Sequence, residues 1–301
     1  MADVRGLPFT KGHGTENDFV LVPDPHGALD LTPERVRRLA DRRAGIGADG
    51  VIRVVPTARA DEPQVRAQAD QARWFMDYRN ADGSAAQMCG NGTRVFAAYL
   101  VREGLVAPEG DFAIATRAGV KVVHPTSDGG YAVELGPWRV PGERGPDGRD
   151  GTAVVRLDGA DLPGLRVEVG NPHVVVVLPP TVELADLDLS RAPQVTPTIE
   201  GGVNVELVRE LGPGRLAMRV HERGVGETRS CGTGAVAAAV AVHWRAGHPP
   251  GPGQWEVRVP GGRLRALVGP GERAVLAGPA VLVADGTLRD GDHPWWTAST
   301  R

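Results

Sequence analysis

The chain of 301 residues has only two cysteines, Cys89 and Cys231, which excludes a disulfide-rich scaffold. It has no Cys-x-x-Cys and no His-x-x-x-His, and its eight histidines are scattered, so no metal is expected. Charge bias is also missing. With 34 basic against 37 acidic residues there is no phosphate-binding field, which argues against a nucleic-acid partner and for a small-molecule substrate. Long apolar runs are absent too: Ala235 to Val242 and Val174 to Leu178 fall far short of the ~20 residues of a membrane span. Met1 to His13 mixes Asp3, Arg5, Pro8 and Lys11 and offers no apolar core for a secretory signal. A cytoplasmic protein with reduced thiols and no membrane partner is expected.

What is present in excess is glycine, 41 residues, and it surrounds both cysteines. Met88-Cys89-Gly90-Asn91-Gly92-Thr93 and Ser230-Cys231-Gly232-Thr233-Gly234-Ala235 are near copies of one phrase, each opening a helical pattern. Chance placement of those four glycines has a probability of about 3 in 10,000 at this composition. The phrases lie about half a chain apart, and the length suggests about two domains, so two related halves are expected. Glycine before a helix lets bare N–H groups converge where the helix start supplies positive potential. Such a position favours a thiolate, lowers a cysteine pKa, and can cradle a substrate carboxylate.

The pattern between these phrases reads as short strands and few helices. A Gly-rich loop at Thr10 to Asn17 runs into an apolar strand ending at Val22; Thr32-Pro33-Glu34 starts a helix through about Arg43; Val51 to Val55 is a buried strand. Gly45-Ile46-Gly47-Ala48-Asp49-Gly50 is a literal GxGxxG, but it follows a helix and opens a strand, the reverse of a dinucleotide fingerprint, and is expected to be a turn. Pro56 to Gln71 reads as a surface excursion. Asn80-Ala81-Asp82-Gly83-Ser84 is a turn, helices are expected from about Asn91 to Arg102 and from Cys231 to about Arg245, and Pro137 to Gly151 is a Gly/Pro-rich connector. Further strands are expected at 112–116, 120–124, 131–135, 165–169, 174–178, 203–208, 216–221, 255–259, 264–268 and 274–277.

A structural disulfide or two small buried hydrophobes would explain two cysteines but would not require Gly-x-Gly beside each. A Cys-His hydrolase leaves the second matched thiol unexplained. Inversion at an acidic carbon needs two matched groups, a base on one face and an acid on the other, and no cofactor if fixed donors stabilise the carbanion.

The ordered set His13-Gly14-Thr15-Glu16-Asn17-Asp18-Phe19, Asn80-Ala81-Asp82-Gly83-Ser84, Met88-Cys89-Gly90-Asn91-Gly92, Gly170-Asn171-Pro172-His173, Asn204-Val205-Glu206 and Glu222-Arg223-Gly224-Val225-Gly226-Glu227-Thr228 with Cys231-Gly232-Thr233-Gly234 resembles the diaminopimelate epimerase family. The resemblance implies a cofactor-independent, two-base epimerase interconverting LL- and meso-2,6-diaminopimelate on the route to lysine and peptidoglycan. It implies Cys89 and Cys231 as the acid/base pair, and Gly90, Asn91, Gly232 and Thr233 as N–H donors to the carboxylate at the reacting carbon. Asn17, Asn80, Asn171, Asn204, Glu222 and Arg223 become substrate-binding residues, with His173 and Glu222 tuning the thiols. The implied fold is α/β with mixed α+β sheets: two similar halves, each a curved mixed sheet around a central helix, with the site in the cleft. The implied division is 1–131 plus about 280–301, and 132–279, and a homodimer is the expected assembly. Glu16 stands where the family often has glycine, Arg79 where an aromatic often precedes Asn80, and Gly50 where some members place a glutamine. A proline racemase or hydroxyproline epimerase uses the same two-thiol logic, but those relatives usually carry histidine where Asn91 stands. A non-catalytic thiol-redox or binding protein is the alternative of a different class.

Overall fold

A computed structural model describes residues 6–141, 152–247, 252–269 and 273–288. Much of the connector at 137–151 and the tail beyond 288 lie outside the described residues.

The first half begins with β1 (Pro8–Gly14) and β2 (Asn17–Pro23), joined by a two-residue turn, and continues through α1 (Pro33–Ala40), β3 (Gly50–Pro56), the short α2 (Pro63–Arg66), β4 (Trp74–Asn80), α3 (Gly90–Arg102), β5 (Phe112–Ala115), β6 (Lys121–Pro125) and β7 (Tyr131–Pro137). The second contains β8 (Thr152–Leu157), β9 (Ala160–Glu168), β10 (Pro172–Val177), β11 (Gln194–Thr196), β12 (Asn204–Gly212), β13 (Arg215–Glu222), β14 (Gly226–Thr228), α4 (Gly232–Arg245), β15 (Gly253–Val259), β16 (Gly262–Val268) and β17 (Arg273–Gly278), before β18 (Val281–Thr287).

Strand pairing repeats one topology. In the first half β1–β2 is antiparallel, β2–β3 parallel, β3–β4 antiparallel, β4–β5 parallel, and β5–β6 and β6–β7 antiparallel. The series β9–β10, β10–β12, β12–β13, β13–β15, β15–β16 and β16–β17 has the same order of senses. The equivalent last strands β7 and β17 pair with each other, antiparallel, and carry the hydrogen-bonded ladder from one half into the other. β18 completes the first half by pairing with β1, as β8 does with β9 in the second.

Each curved sheet closes around one helix because that helix is apolar on most faces. Residues Ala235 to Ala241 of α4 are all fully buried, as are Val95, Phe96, Ala97 and Leu100 of α3, and both helices belong to one continuous core. The same topology brings the N-terminal turns of α3 and α4 together. A Cβ built at Gly232 would lie 3.5 Å from the Asn91 backbone nitrogen.

Three local expectations are corrected. The stretch from Thr10 is strand rather than loop as far as Gly14, because its backbone pairs with β2 on one side and β18 on the other. α1 ends at Ala40, not near Arg43, because Asp41 leaves helical geometry and its carboxylate accepts from Arg43 N and Ala44 N, both at 2.7 Å. The stretch 56–71 is not merely a surface excursion. Val65 is fully buried in a small cluster with Val55, Phe75 and Ala115, and Thr57 is fully buried as well, which the scarcity of apolar residues in that stretch conceals. The GxGxxG segment is an irregular turn after α1, and a Cβ at Gly45 would lie 1.9 Å from Arg38 O.

Candidate active site

Cys89 and Cys231 are the N-cap residues of α3 and α4, with extended backbone (φ −140°, ψ 119° and φ −119°, ψ 117°). Each sulfur accepts the N–H three residues on, Gly92 N to Cys89 Sγ and Gly234 N to Cys231 Sγ, both at 3.4 Å. The Gly-x-Gly spacing lets the backbone fold this tightly: a Cβ at Gly234 would sit 2.6 Å from Glu206 Oε1. Gly90 and Gly232 begin the helices, and the first-turn N–H groups of such a helix have no acceptor within it. Leu276 of β17, fully buried, touches both starts: a Cβ at Gly90 would come within 2.9 Å of its Cδ2 and one at Gly232 within 2.7 Å.

The expected lowering of the thiol pKa values is corrected in the free protein. Burial pushes Cys89 up to about 11, outweighing the N–H donors of Gly92 and Asn91. Cys231 is pushed well above the usual thiol range by burial, then by the neighbouring carboxylates of Glu222 and Glu206. The helix start supplies partial charges, and removal from water is the larger effect.

Around Cys89, Asn17 Oδ1 lies 3.7 Å from Sγ and accepts from Asn91 Nδ2 at 3.2 Å. Asn17 is oriented by Asp49, whose Oδ2 accepts its Nδ2 at 2.8 Å. Asp49 adjoins Asp18, and Asp18 is held by Lys11 at 2.6 Å and by both terminal nitrogens of Arg42 at 2.9 and 2.7 Å. Burial and Asp18 raise the Asp49 pKa. Around Cys231, Thr233 Oγ1 lies 3.5 Å from Sγ, and the Glu222 carboxylate is a charged neighbour of the thiol. Thr228 Oγ1 donates to the same carboxylate. Burial raises the Glu222 pKa.

Behind Cys231, His173 Nδ1 meets Glu206 Oε1 at 2.7 Å with both side chains fully buried, and His173 Nε2 meets Asn171 Oδ1 at 3.0 Å. The parallel register of β10 and β12 sets this, opposing His173 to Asn204. Asn204 Oδ1 accepts Arg223 N at 2.9 Å. Arg223 is exposed and its Nη1 donates to Gly201 O at 3.1 Å, so the sequence neighbours Glu222 and Arg223 point to different partners. Asn80 stands at the end of β4 with its amide bonded inside its own turn, Nδ2 to Ser84 Oγ at 3.0 Å.

The three departures from the family pattern have local explanations. Glu16 adopts φ 62°, a left-handed conformation that glycine adopts with less strain, and its carboxylate pairs with Arg229 of the other half. Arg79 faces away from Asn80, because alternate strand residues point to opposite faces, and its Nε lies 3.2 Å from Asp77 Oδ1. Gly50 is crossed by Tyr78, whose Cε2 would lie 2.5 Å from any Cβ there.

Glu206, Ser230, Thr15 and Asp49 were not singled out from sequence. Glu206 shares a strand face with Asn204 two residues earlier, the one local signal that could have found it. Thr15 and Ser230, whose hydroxyls lie 2.6 Å apart across 215 residues, carry no local signal.

The diaminopimelate epimerase family model matches residues 9–140 and 165–283, one Cys-Gly-x-Gly phrase in each block. A diaminopimelate epimerase of Streptomyces coelicolor is 48% identical over 293 residues, covering 96% of both chains, and one of Thermobifida fusca is 50% identical over 287 residues, covering 94% of this chain and 98% of that one. Among solved structures, a probable proline racemase from Agrobacterium radiobacter shares the fold with a TM-score of 0.65 at 16% identity, over 96% of this chain and 95% of that one. By family match and by near-full-length identity to these relatives, the chain belongs to the diaminopimelate epimerase family.

Proposed function

We propose that this protein epimerises LL-2,6-diaminopimelate to the meso isomer and back, in lysine and peptidoglycan precursor synthesis, with Cys89 and Cys231 as the two bases and no cofactor. The observation that carries the reading is the pair of matched cysteine N-caps on helices whose first turns meet.

One sulfur, as thiolate, takes the proton from Cα, and the electron pair passes into the carboxylate at that carbon. The opposite thiol then delivers its own proton to the other face, and the two sulfurs end with their protonation exchanged. The N–H groups of Gly90, Asn91, Gly232 and Thr233 receive the growing charge on the carboxylate oxygens, as fixed donors that need no reorganisation during the reaction. Burial strengthens each thiolate as a base while making two thiolates at once unfavourable, so turnover starts from the form in which one thiol has ionised and the other keeps its proton. His173 and Glu222, with Glu206, tune Cys231.

Asn17, Asn80, Asn171, Asn204, Glu222 and Arg223 bind the rest of the substrate. Arg223, held among the described residues by one neutral carbonyl, retains N–H donors for a carboxylate, a need that diaminopimelate has at its distal end and proline does not. The division 1–131 plus about 280–301, and 132–279, belongs to this reading; pairing of β18 with β1 supports it. A cytoplasmic location and a homodimer belong to the same proposal. No described helix is long and apolar enough to cross a membrane.

Reduced protein incubated with LL-diaminopimelate in deuterated water should exchange the α-proton and form the meso isomer. Exchange with proline and none with diaminopimelate would overturn the substrate, and full epimerisation by Cys89→Ala or Cys231→Ala would overturn the two-base mechanism.

A further inference from the structure

Arg94 is the largest fully buried side chain in the molecule's described residues, and no carboxylate lies within ion-pair distance of it among them. An arginine this deep is ordinarily paired, because an isolated buried charge is costly. Its guanidinium is instead held by three neutral acceptors: Nε donates to Pro279 O at 3.2 Å, Nη1 to Gly90 O at 3.5 Å and Nη2 to Thr15 Oγ1 at 3.4 Å. Each ties it to the site. Gly90 follows Cys89 and starts α3, and Pro279 follows the β17 strand that carries Leu276. Thr15 Oγ1 lies 2.6 Å from Ser230 Oγ, next to Cys231, and Ser230 also accepts from Asn91 Nδ2 through its carbonyl and hydroxyl at 3.2 and 3.3 Å. Gly14 makes room for the guanidinium, since a Cβ there would lie 3.0 Å from Arg94 Nη2.

We propose that Arg94 is a positioning residue whose fixed, unpaired charge beneath the α3 start is the electrostatic partner of the Cys89 thiolate, and that Cys231 has no equivalent. At the matching place in the second phrase, five residues after the cysteine, stands Val236. The charged and titratable groups around the two thiols divide accordingly. Cys89 is acted on by the carboxylate of Glu222 from β13, is opposed by the cation of Arg94 from its own helix, and faces Tyr78 from β4, whereas Cys231 is acted on by the carboxylates of Glu222 and Glu206 with no cation among the causes. Burial lowers the Arg94 pKa to about 10, so the group is still a cation at neutral pH. The two halves repeat one backbone device and differ in the charge set behind it. Cys89 is then the thiol that ionises more readily in the free protein.

This inference rests on the two-thiol reading but is tested without substrate. In a Cys231→Ala background, the rate of Cys89 alkylation by iodoacetamide is followed against pH for Arg94, Arg94→Lys and Arg94→Gln, with folding checked by circular dichroism and thermal melting. Loss of an opposite charge raises a thiol pKa, so Arg94→Gln should alkylate at least about threefold more slowly on the rising limb. Arg94→Lys should recover most of the rate. In a Cys89→Ala background, Cys231 alkylation should stay within about twofold for all three. A Cys89 profile unmoved by Arg94→Gln, or moved equally by Arg94→Lys, overturns the proposal. If Arg94→Gln does not fold, the Arg94→Lys profile decides alone: a profile matching the parent supports the charge role, and a shifted one overturns it. Failure to epimerise diaminopimelate would overturn the substrate assignment and leave these profiles interpretable.

Discussion

Gly232→Ala and Leu276→Ala, separately and together, test whether Leu276 is the spacer between the two helix starts. A Cβ at Gly232 would lie 2.7 Å from Leu276 Cδ2, about 1 Å inside the optimal carbon contact of about 3.5–4.0 Å. Overpacking of this kind costs about 1–3 kcal/mol, offset by at most about 1 kcal/mol of helix propensity, for a net loss of about 0–3 kcal/mol. No backbone strain adds to this, because Gly232 is outside the left-handed region. Leu276 is fully buried, so its truncation should cost about 2–5 kcal/mol. The double variant lacks the clashing methyl and partly fills the cavity, so it should be more stable than the sum of the single losses by about 1–3 kcal/mol. Urea denaturation at constant m gives the four stabilities. In parallel, Gly232→Ala should lower epimerisation at least about tenfold, because it displaces the N–H groups of the α4 start, and Leu276→Ala should restore part of it. Additivity within about 0.5 kcal/mol would refute the spacer role.

Glu222→Gln removes an anion next to Cys231 and should lower that thiol's pKa, so in a Cys89→Ala background its alkylation profile should move to lower pH; an upward shift would contradict the placement of this carboxylate. Cys89 holds its proton to about 11 when folded, above the ordinary thiol value near 9, so the unfolded chain loses its proton first and stability should fall as pH rises from about 9 to about 11. Urea midpoints should show that slope and show it reduced in Cys89→Ala. Asp77, fully buried between Arg53, Arg79 and Arg117, is held below the usual carboxylate range by these three cations despite its burial. Its contribution is present above the unfolded value near 4 and is lost as pH falls through the lower folded value; Asp77→Asn should cost about 3–5 kcal/mol near pH 7 and flatten the acid limb of thermal stability.

The sequence made the chemistry of the two helix starts legible because cysteine and glycine act there through local backbone geometry. The central helices followed from the family resemblance, and the apolar run Ala235 to Val242 fits the burial of the second one. Long-range placements were not legible. Nothing near Leu276 marks it as touching both starts, and Arg94 reads as an ordinary helix former until its surroundings are known. His173 and Glu206 meet through a parallel register that no adjacent residue encodes. The thiol pKa direction runs against the motif for a related reason: the donors at a helix start can be inferred from a motif, whereas the depth of burial that outweighs them depends on the whole fold.

The strand that completes the first half comes from the far end of the chain. Thr10 Oγ1 donates to Asp285 Oδ1 across 275 residues, whereas β8 and β9, which do the same job in the second half, are joined by a short turn. During synthesis, at about 5–20 residues per second, β1 therefore stays an open edge until β18 has emerged, while the second half closes its own edge as it is made. The two repeats should mature in the reverse of their order in the gene, and a chaperone or a truncation that intervenes before β18 should leave the Cys89 half exposed and the Cys231 half formed.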